Sequence, residues 1–249
     1  MRGIKVTLAY DGTDYFGWQV QPDRPTIQGT LEKVVSEIEG EKVPVMGSGR
    51  TDAGVHALGQ VAAFSLANPI PLPNLKKAMN RLLPAAIRVL DVAEAPPDFH
   101  PRRDALAKTY EYRVVRSDVC PPFERRYVHH YPYPLAVDRV QAVAPLFTGE
   151  HDFSAFSAAD DKDRLGLSKV RTIYSSELVA LPERLYCRVR GNGFLKHMVR
   201  NMVGFLLEVG KGNAGQEDLR RLLTPGCPEK AGPTAPACGL FLVSVEYPS

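Results

Sequence analysis

The chain has 249 residues, 44% of them hydrophobic and 24% charged, with a formal net charge of +3 at pH 7. These proportions exclude a disordered or collagen-like chain and fit one large domain or two small ones with a buried core. No apolar run reaches the roughly 18–20 residues a membrane span needs; the longest, Leu195 to Val209, is interrupted by Lys196, His197, Arg200, Asn201 and Glu208.

Residues 4–10 alternate as a half-buried strand directly after Met1, so no signal peptide is expected, and the strand ends in a turn at Asp11-Gly12. From Thr26, apolar residues fall at Ile27, Leu31, Val34, Val35 and Ile38, the spacing of an amphipathic helix, which Gly40 should stop. A short strand at 43–46, a glycine-rich loop at 47–54, a strand at 57–66, a helix at 74–83 and a strand at 86–93 follow. Pro96-Pro97 marks a seam, dividing the chain into 1–104 and 105–249. Beyond it the pattern predicts a strand at 107–116, an extended stretch at 125–131 and a helix at 135–147. Strands at 170–180 and 184–190, an apolar helix at 194–210, a helix at 215–223 and a last strand at 239–247 complete the reading. Strand–helix–strand order recurs in each half, so the expectation is two α+β subdomains with antiparallel sheets.

Charge is unevenly spread. Residues 1–104 are neutral overall, whereas 184–221 carry eight basic residues against three acidic ones, a local excess suited to docking a polyanion or simply to solvation. Cys120, Cys187, Cys227 and Cys238 show neither a C-x-x-C pair nor zinc spacing and read as reduced thiols of a cytoplasmic protein. The histidines form no H-E-x-x-H pattern, so no metal site is expected.

The densest candidate for chemistry is Ser48-Gly49-Arg50-Thr51-Asp52-Ala53-Gly54-Val55-His56-Ala57. It sets a carboxylate in a loop whose glycines let a large ligand approach closely. Asp52 is either an ordinary turn residue or a functional acid, with Arg50 two residues away to keep it ionised. A dinucleotide fingerprint would need a third glycine where Asp52 stands, and Gly210-Lys211 lacks the Ser or Thr of a phosphate-binding loop, so no nucleotide cofactor is expected. An aspartic protease would need a second loop carboxylate, and none has the pattern. Arg200 sits among Val203, Gly204 and Leu207 at helical spacing, so its guanidinium must snorkel to solvent or find an anion; Asp52 is a natural partner. On a strand, Tyr110 and Tyr112 share one face, to pack in a core or to meet a base.

Together these segments resemble the tRNA pseudouridine synthase A family. The resemblance runs nearly end to end: Tyr10-Asp11-Gly12-Thr13-Asp14-Tyr15-Phe16-Gly17-Trp18-Gln19, the Gly49–Ala57 loop, Phe99-His100, Tyr110-Glu111-Tyr112, His151-Asp152-Phe153-Ser154-Ala155-Phe156, Gly193-Phe194-Leu195 with Met198-Val199-Arg200, and Pro236 to Leu242. It implies an enzyme that isomerises uridine in the tRNA anticodon arm, at positions 38, 39 and 40. Asp52 would be the catalytic carboxylate, Tyr110 the active-site tyrosine, and Arg200 the arginine paired with Asp52. Arg50 would take the place of the flipped nucleotide, and Leu240 would pack on the uracil. The implied fold is α+β, with two RNP-like halves whose sheets join into one long antiparallel sheet and a catalytic cleft between them. The first half would carry the Asp52 loop and the second a basic RNA-facing surface. The implied assembly is a homodimer acting on tRNA, with neither metal nor organic cofactor. Pro101, where alanine is commoner, and Lys108-Thr109, where arginine is frequent before the tyrosine, depart from the pattern and leave the core motif intact.

Pseudouridylation needs one carboxylate and no activated water, which fits a single loop Asp better than a hydrolase that wants two. The competing reading is a non-catalytic tRNA-binding protein on the same scaffold; the intact Asp52 position argues against it.

Overall fold

The computed structural model describes residues 1–159 and 166–248. The chain forms two compact units, one of Met1–Leu106 with Phe241–Ser249 and the other of Ala107–Leu240. A cut at residue 104 alone would assign the last strand to the second unit; the structure returns it to the first.

In the first unit, β1 (Arg2–Tyr10) buries every second residue, namely Ile4, Val6, Leu8 and Tyr10. This is the period-2 pattern of a strand with one face on a core. Helix α1 (Ile27–Glu39) begins where the Thr26 hydroxyl accepts the Gly29 N–H at 3.2 Å and ends at Gly40, whose N–H returns to the Ser36 carbonyl. Its apolar stripe, Ile27, Leu31, Val34 and Val35, is buried. Helix α2 (Leu72–Leu82) starts two residues earlier than the periodicity suggests, because Pro73 fits a first turn where no backbone N–H is needed. The sheet runs β4 (Ile87–Ala95), β1, β3 (His56–Leu66), β10 (Leu240–Glu246, from Phe241 onward in this unit), with β2 (Met46–Gly47) on β3. Residues 43–45 lie outside any strand.

In the second unit the sheet order is β5 (Ala107–Val115), β9 (Arg184–Gly191), β8 (Val170–Leu181), β7 (Gly149–Asp152), with β6 (His129–His130) on β5. Helix α3 (Val137–Val143) is shorter than predicted: Pro145 turns its last part into a 3-10 turn, Ala144–Phe147. Helix α4 (Met198–Lys211) begins four residues late, since His197 adopts a left-handed conformation (φ 61) that cannot continue a helix backwards. Helix α5 (Gln216–Leu222) follows. The core gathers Phe147, Phe153, Phe156 and Phe205, edge to face at 5.3–6.3 Å, a geometry that matches ring edges to ring faces. The 125–131 stretch is mostly turn; only His129–His130 pair with a strand.

The sheets are mixed, which corrects the expectation of purely antiparallel pairing. β10 runs parallel to β3, matching Phe241 with His56 and Leu242 with Ala57, and β6 runs parallel to β5. Parallel neighbours need a long crossover rather than a hairpin. Residues 116–128 supply one between β5 and β6, and the whole second unit intervenes between β3 and β10. The α+β class stands.

Candidate active site

The Asp52 loop leaves β2 at Gly47 and enters β3 at His56. Within it, buried Thr51 sits between exposed Arg50 and half-buried Asp52. Gly54, at φ 77, allows the turn in which the Asp52 carbonyl accepts the Val55 N–H at 3.1 Å. Cation and carboxylate therefore flank a residue turned into the core, as an extended strand-like alternation requires.

What holds this loop is the segment 10–18. The Trp18 N–H donates to the Thr51 carbonyl at 3.0 Å, and the Gly54 N–H to the Tyr15 carbonyl at 3.3 Å. The Tyr10 hydroxyl meets the Thr51 hydroxyl at 2.9 Å. Approach is so close that several positions admit no side chain. A Cβ on Gly17 (φ +84) would lie 2.5 Å from the Thr51 carbonyl oxygen, one on Gly47 2.5 Å from the Trp18 ring, and one on Gly12 would overlap the Val55 carbonyl. His56 Nδ1 lies 3.1 Å from the Gly12 N–H and 3.2 Å from Asp11 Oδ1, and the His56 ring stacks on Phe241 at 4.8 Å. Burial pushes the Tyr10 hydroxyl up to about 12, against the hydrogen bonds from Thr51 and Gln60, so it stays protonated.

Sequence reading missed Gln60. It is fully buried, opposite Leu8 in the register, on the face shared with Ile4 and Val6. A register shift between Leu8 and Tyr10 places Leu58 and Gly59 opposite one residue of β1, a bulge that re-aims the chain before Gln60. The visible signal was a glutamine inside the apolar run Val61-Ala62-Ala63-Phe64 and its upstream neighbours.

The second unit presents the remaining predicted residues. Tyr110 is buried on β5, paired in register with Val189, its ring edge-on to Phe194 at 5.0 Å. Tyr112, two residues on, donates its hydroxyl to the Pro236 carbonyl at 2.8 Å, and burial holds that hydroxyl well above the ordinary tyrosine range. On the opposite face of β5, Glu111 receives Arg113 at 2.9 Å and Arg188 at 2.7 Å. Burial opposes its charge, yet the two guanidiniums overrule that and keep its carboxyl below the usual carboxylate range. Arg200 lies in the first turn of α4, half-buried, with Nε donating to the Ala235 carbonyl at 2.8 Å. Leu240 is buried just past the turn Ala237–Gly239, which is pressed on β5: a Cβ on Gly239 would lie 2.8 Å from both the Arg113 carbonyl and the Tyr112 ring.

Arg50 and Asp52 thus belong to the first unit, and Tyr110, Arg200 and Leu240 to the second. Among the described residues, no group of three or more His, Cys, Asp or Glu side chains could hold a metal ion. Likewise, no helix among them is long and apolar enough to cross a membrane.

A family model described as tRNA pseudouridine synthase matches residues 7–104 and 143–248. Arg50, Asp52, Arg200 and Leu240 fall inside the matched stretches and Tyr110 between them. The tRNA pseudouridine synthase A of Solibacter usitatus (strain Ellin6076) is 60% identical over 247 residues, 99% of this chain and 100% of that protein. The enzymes of the same name from Brevibacillus brevis (43% over 247 residues; 99% and 100%) and Limosilactobacillus fermentum (45% over 254 residues; 100% and 97%) also match throughout. With the Asp52 loop and its bracing segment inside a match of this length, the chain belongs to the tRNA pseudouridine synthase A family.

Proposed function

We propose that this chain isomerises uridine to pseudouridine at positions 38, 39 and 40 of the tRNA anticodon arm, with Asp52 as the catalytic carboxylate. The observation that carries the assignment is a half-buried carboxylate on a loop rigidly braced by Tyr10, Tyr15 and Trp18, with exposed Arg50 two residues away. A rigid carboxylate is what the chemistry asks for. The bond between the sugar C1′ and uracil N1 breaks, the base turns, C1′ joins C5, the C5 proton leaves to solvent, and N1 takes up a proton from solvent. Asp52 serves either as nucleophile at C1′ or as the base that opens a glycal-like route. Tyr110 stacks on the uracil and assists departure of the C5 proton, and Leu240 packs against the base. Arg200 pairs with the Asp52 carboxylate and orients it. Arg50 fills the gap left by the extruded base, offsetting an unstacking cost of a few kcal/mol.

The basic residues of 184–221 would meet the phosphate backbone, and the working assembly is a homodimer sharing one tRNA in the cytoplasm. The reaction as written needs neither metal nor organic cofactor. Release of tritium from tRNA carrying 5-tritiated uridine tests the assignment, comparing the unaltered chain with Asp52→Asn. Release by the unaltered chain alone supports it; release by both removes Asp52 from the centre, and tight tRNA binding without release by either favours a binding protein.

A further inference from the structure

We propose that Gln60 is a positioning residue for the reaction, the buried clamp that fixes the loop carrying Arg50 and Asp52. The proposal rests on the assignment of Asp52 above. Gly49 and Gly54 make that loop intrinsically compliant, and a reacting carboxylate must be held to about half an ångström. Something other than the loop itself has to supply the rigidity.

Gln60 makes every hydrogen bond its amide can offer. Its Oε1 accepts the Ser48 hydroxyl at 2.6 Å and the Val61 N–H at 3.1 Å. Its Nε2 donates to the Gly49 carbonyl at 3.0 Å and to the Tyr10 hydroxyl at 3.4 Å. Tyr10 accepts there and is itself hydrogen-bonded to the Thr51 hydroxyl at 2.9 Å. The amide therefore grips Ser48 and Gly49 on one side of Arg50, and through Tyr10 it grips Thr51 on the other. Arg50 and Asp52 alternate with the gripped residues, exposed and half-buried respectively. The β3 bulge puts the amide under the loop.

An apolar side chain of similar length would pack as well beside Leu8, in a row of buried aliphatic residues. It would take the donor from the Gly49 carbonyl and the Oε1 acceptor from Ser48, and the loop would drift. A misplacement near 1 Å costs about a hundredfold in rate, whereas the basic residues of 184–221, to which the proposed function gives the phosphate contacts, are untouched by the substitution and should keep most of the tRNA affinity.

The test uses the full chain and three variants, Gln60→Met, Tyr10→Phe and Asp52→Asn, with single-turnover tritium release at saturating enzyme and tRNA Kd as separate readouts. All rates are taken well below each variant's own melting temperature, so a shifted fold does not pose as a shifted loop. Gln60→Met should slow the reaction about ten- to hundredfold with Kd within about twofold, and Tyr10→Phe, which cuts the same chain at Thr51, should slow it less and leave Kd alike. Adding Ser48→Ala to Gln60→Met removes the hydroxyl that has lost its bond to Gln60; it should restore melting temperature in part while the rate stays low. If Gln60→Met does not fold, Tyr10→Phe carries the same reading. A rate loss under about threefold in a folded variant, a loss matched by weaker binding, or a rate that recovers together with the melting temperature, overturns the proposal. Should Asp52→Asn retain full rate, the catalytic assignment falls instead, whatever the Gln60 variants do.

Discussion

Arg200 and Ala235 hold one another from both directions. The guanidinium Nε donates to the Ala235 carbonyl at 2.8 Å, and the Ala235 N–H donates to the Arg200 carbonyl at 3.2 Å. The arginine is thereby aimed by the chain that leads into Leu240 rather than by its own helix. Arg200→Ala should lose about 1–3 kcal/mol of stability in urea unfolding and should also slow single-turnover tritium release. Arg200→Lys should recover little of either, because an ammonium cannot reproduce the planar Nε contact. An unchanged unfolding midpoint with an unchanged rate would count against both roles.

Helix α4 meets the segment after Pro233 with no space to spare. A Cβ on Gly204 would overlap the Pro233 carbonyl oxygen. In an exposed helix, Gly→Ala stabilises by about 1 kcal/mol. Here the overlap with backbone should reverse the sign, so that Gly204→Ala destabilises by about 1–3 kcal/mol. Thermal unfolding decides; a raised melting temperature would show that the segment yields.

The Glu111 carboxylate has a lowered folded-state pKa, so the stability it contributes is fully present above its unfolded value of about 4.3. That contribution is lost as pH falls through the lower folded value. Glu111→Gln should cost about 1 kcal/mol or less at neutral pH, since Arg188 is half-exposed and solvent screens it. Urea titrations of both proteins between pH 7 and pH 3 should therefore converge toward the acid end. A gap that widens on acidification would mean the charge is not what Arg113 and Arg188 stabilise.

Trp18 is the sole tryptophan, 3% exposed, and its backbone N–H is tied to Thr51. Its fluorescence therefore reports on the Asp52 loop. Gly17→Ala forces a left-handed residue to carry a Cβ against the Thr51 carbonyl, at about 1–2 kcal/mol for the conformation alone. Acrylamide should quench Trp18 more strongly in this variant, and tritium release should slow about tenfold or more. Native-like quenching with native rate would show the loop tolerates the insertion.

Local signals were legible where one short segment decides the outcome. Thr26 and Gly40 bracket α1 because cap chemistry is written in single residues, and the alternation of Ile4, Val6, Leu8 and Tyr10 identifies β1 because one face is buried. The Asp52 loop stood out by its glycines and charges. What escaped was set by distant partners. The parallel seating of β10 on β3 depends on residues about 185 apart in the chain. The late start of α4 depends on His197 taking a conformation that its residue type does not announce. Gln60 reads as a flaw in an apolar strand until Ser48, Gly49 and Tyr10 are seen around it.

The seating of β10 also orders events in time. The strand beside His56 and Ala57 comes from Phe241 and Leu242, and the Leu106 N–H is satisfied by the Glu246 carbonyl. During vectorial synthesis, β1, β3 and β4 can pair as soon as they emerge, but the edge of β3 at His56 and Ala57 stays open until residues 241–246 clear the ribosome. A nascent chain halted anywhere inside the second unit therefore carries Asp52 without the Phe241 ring that stacks on His56. The reactive loop gains its neighbouring strand only after the whole second unit has been made.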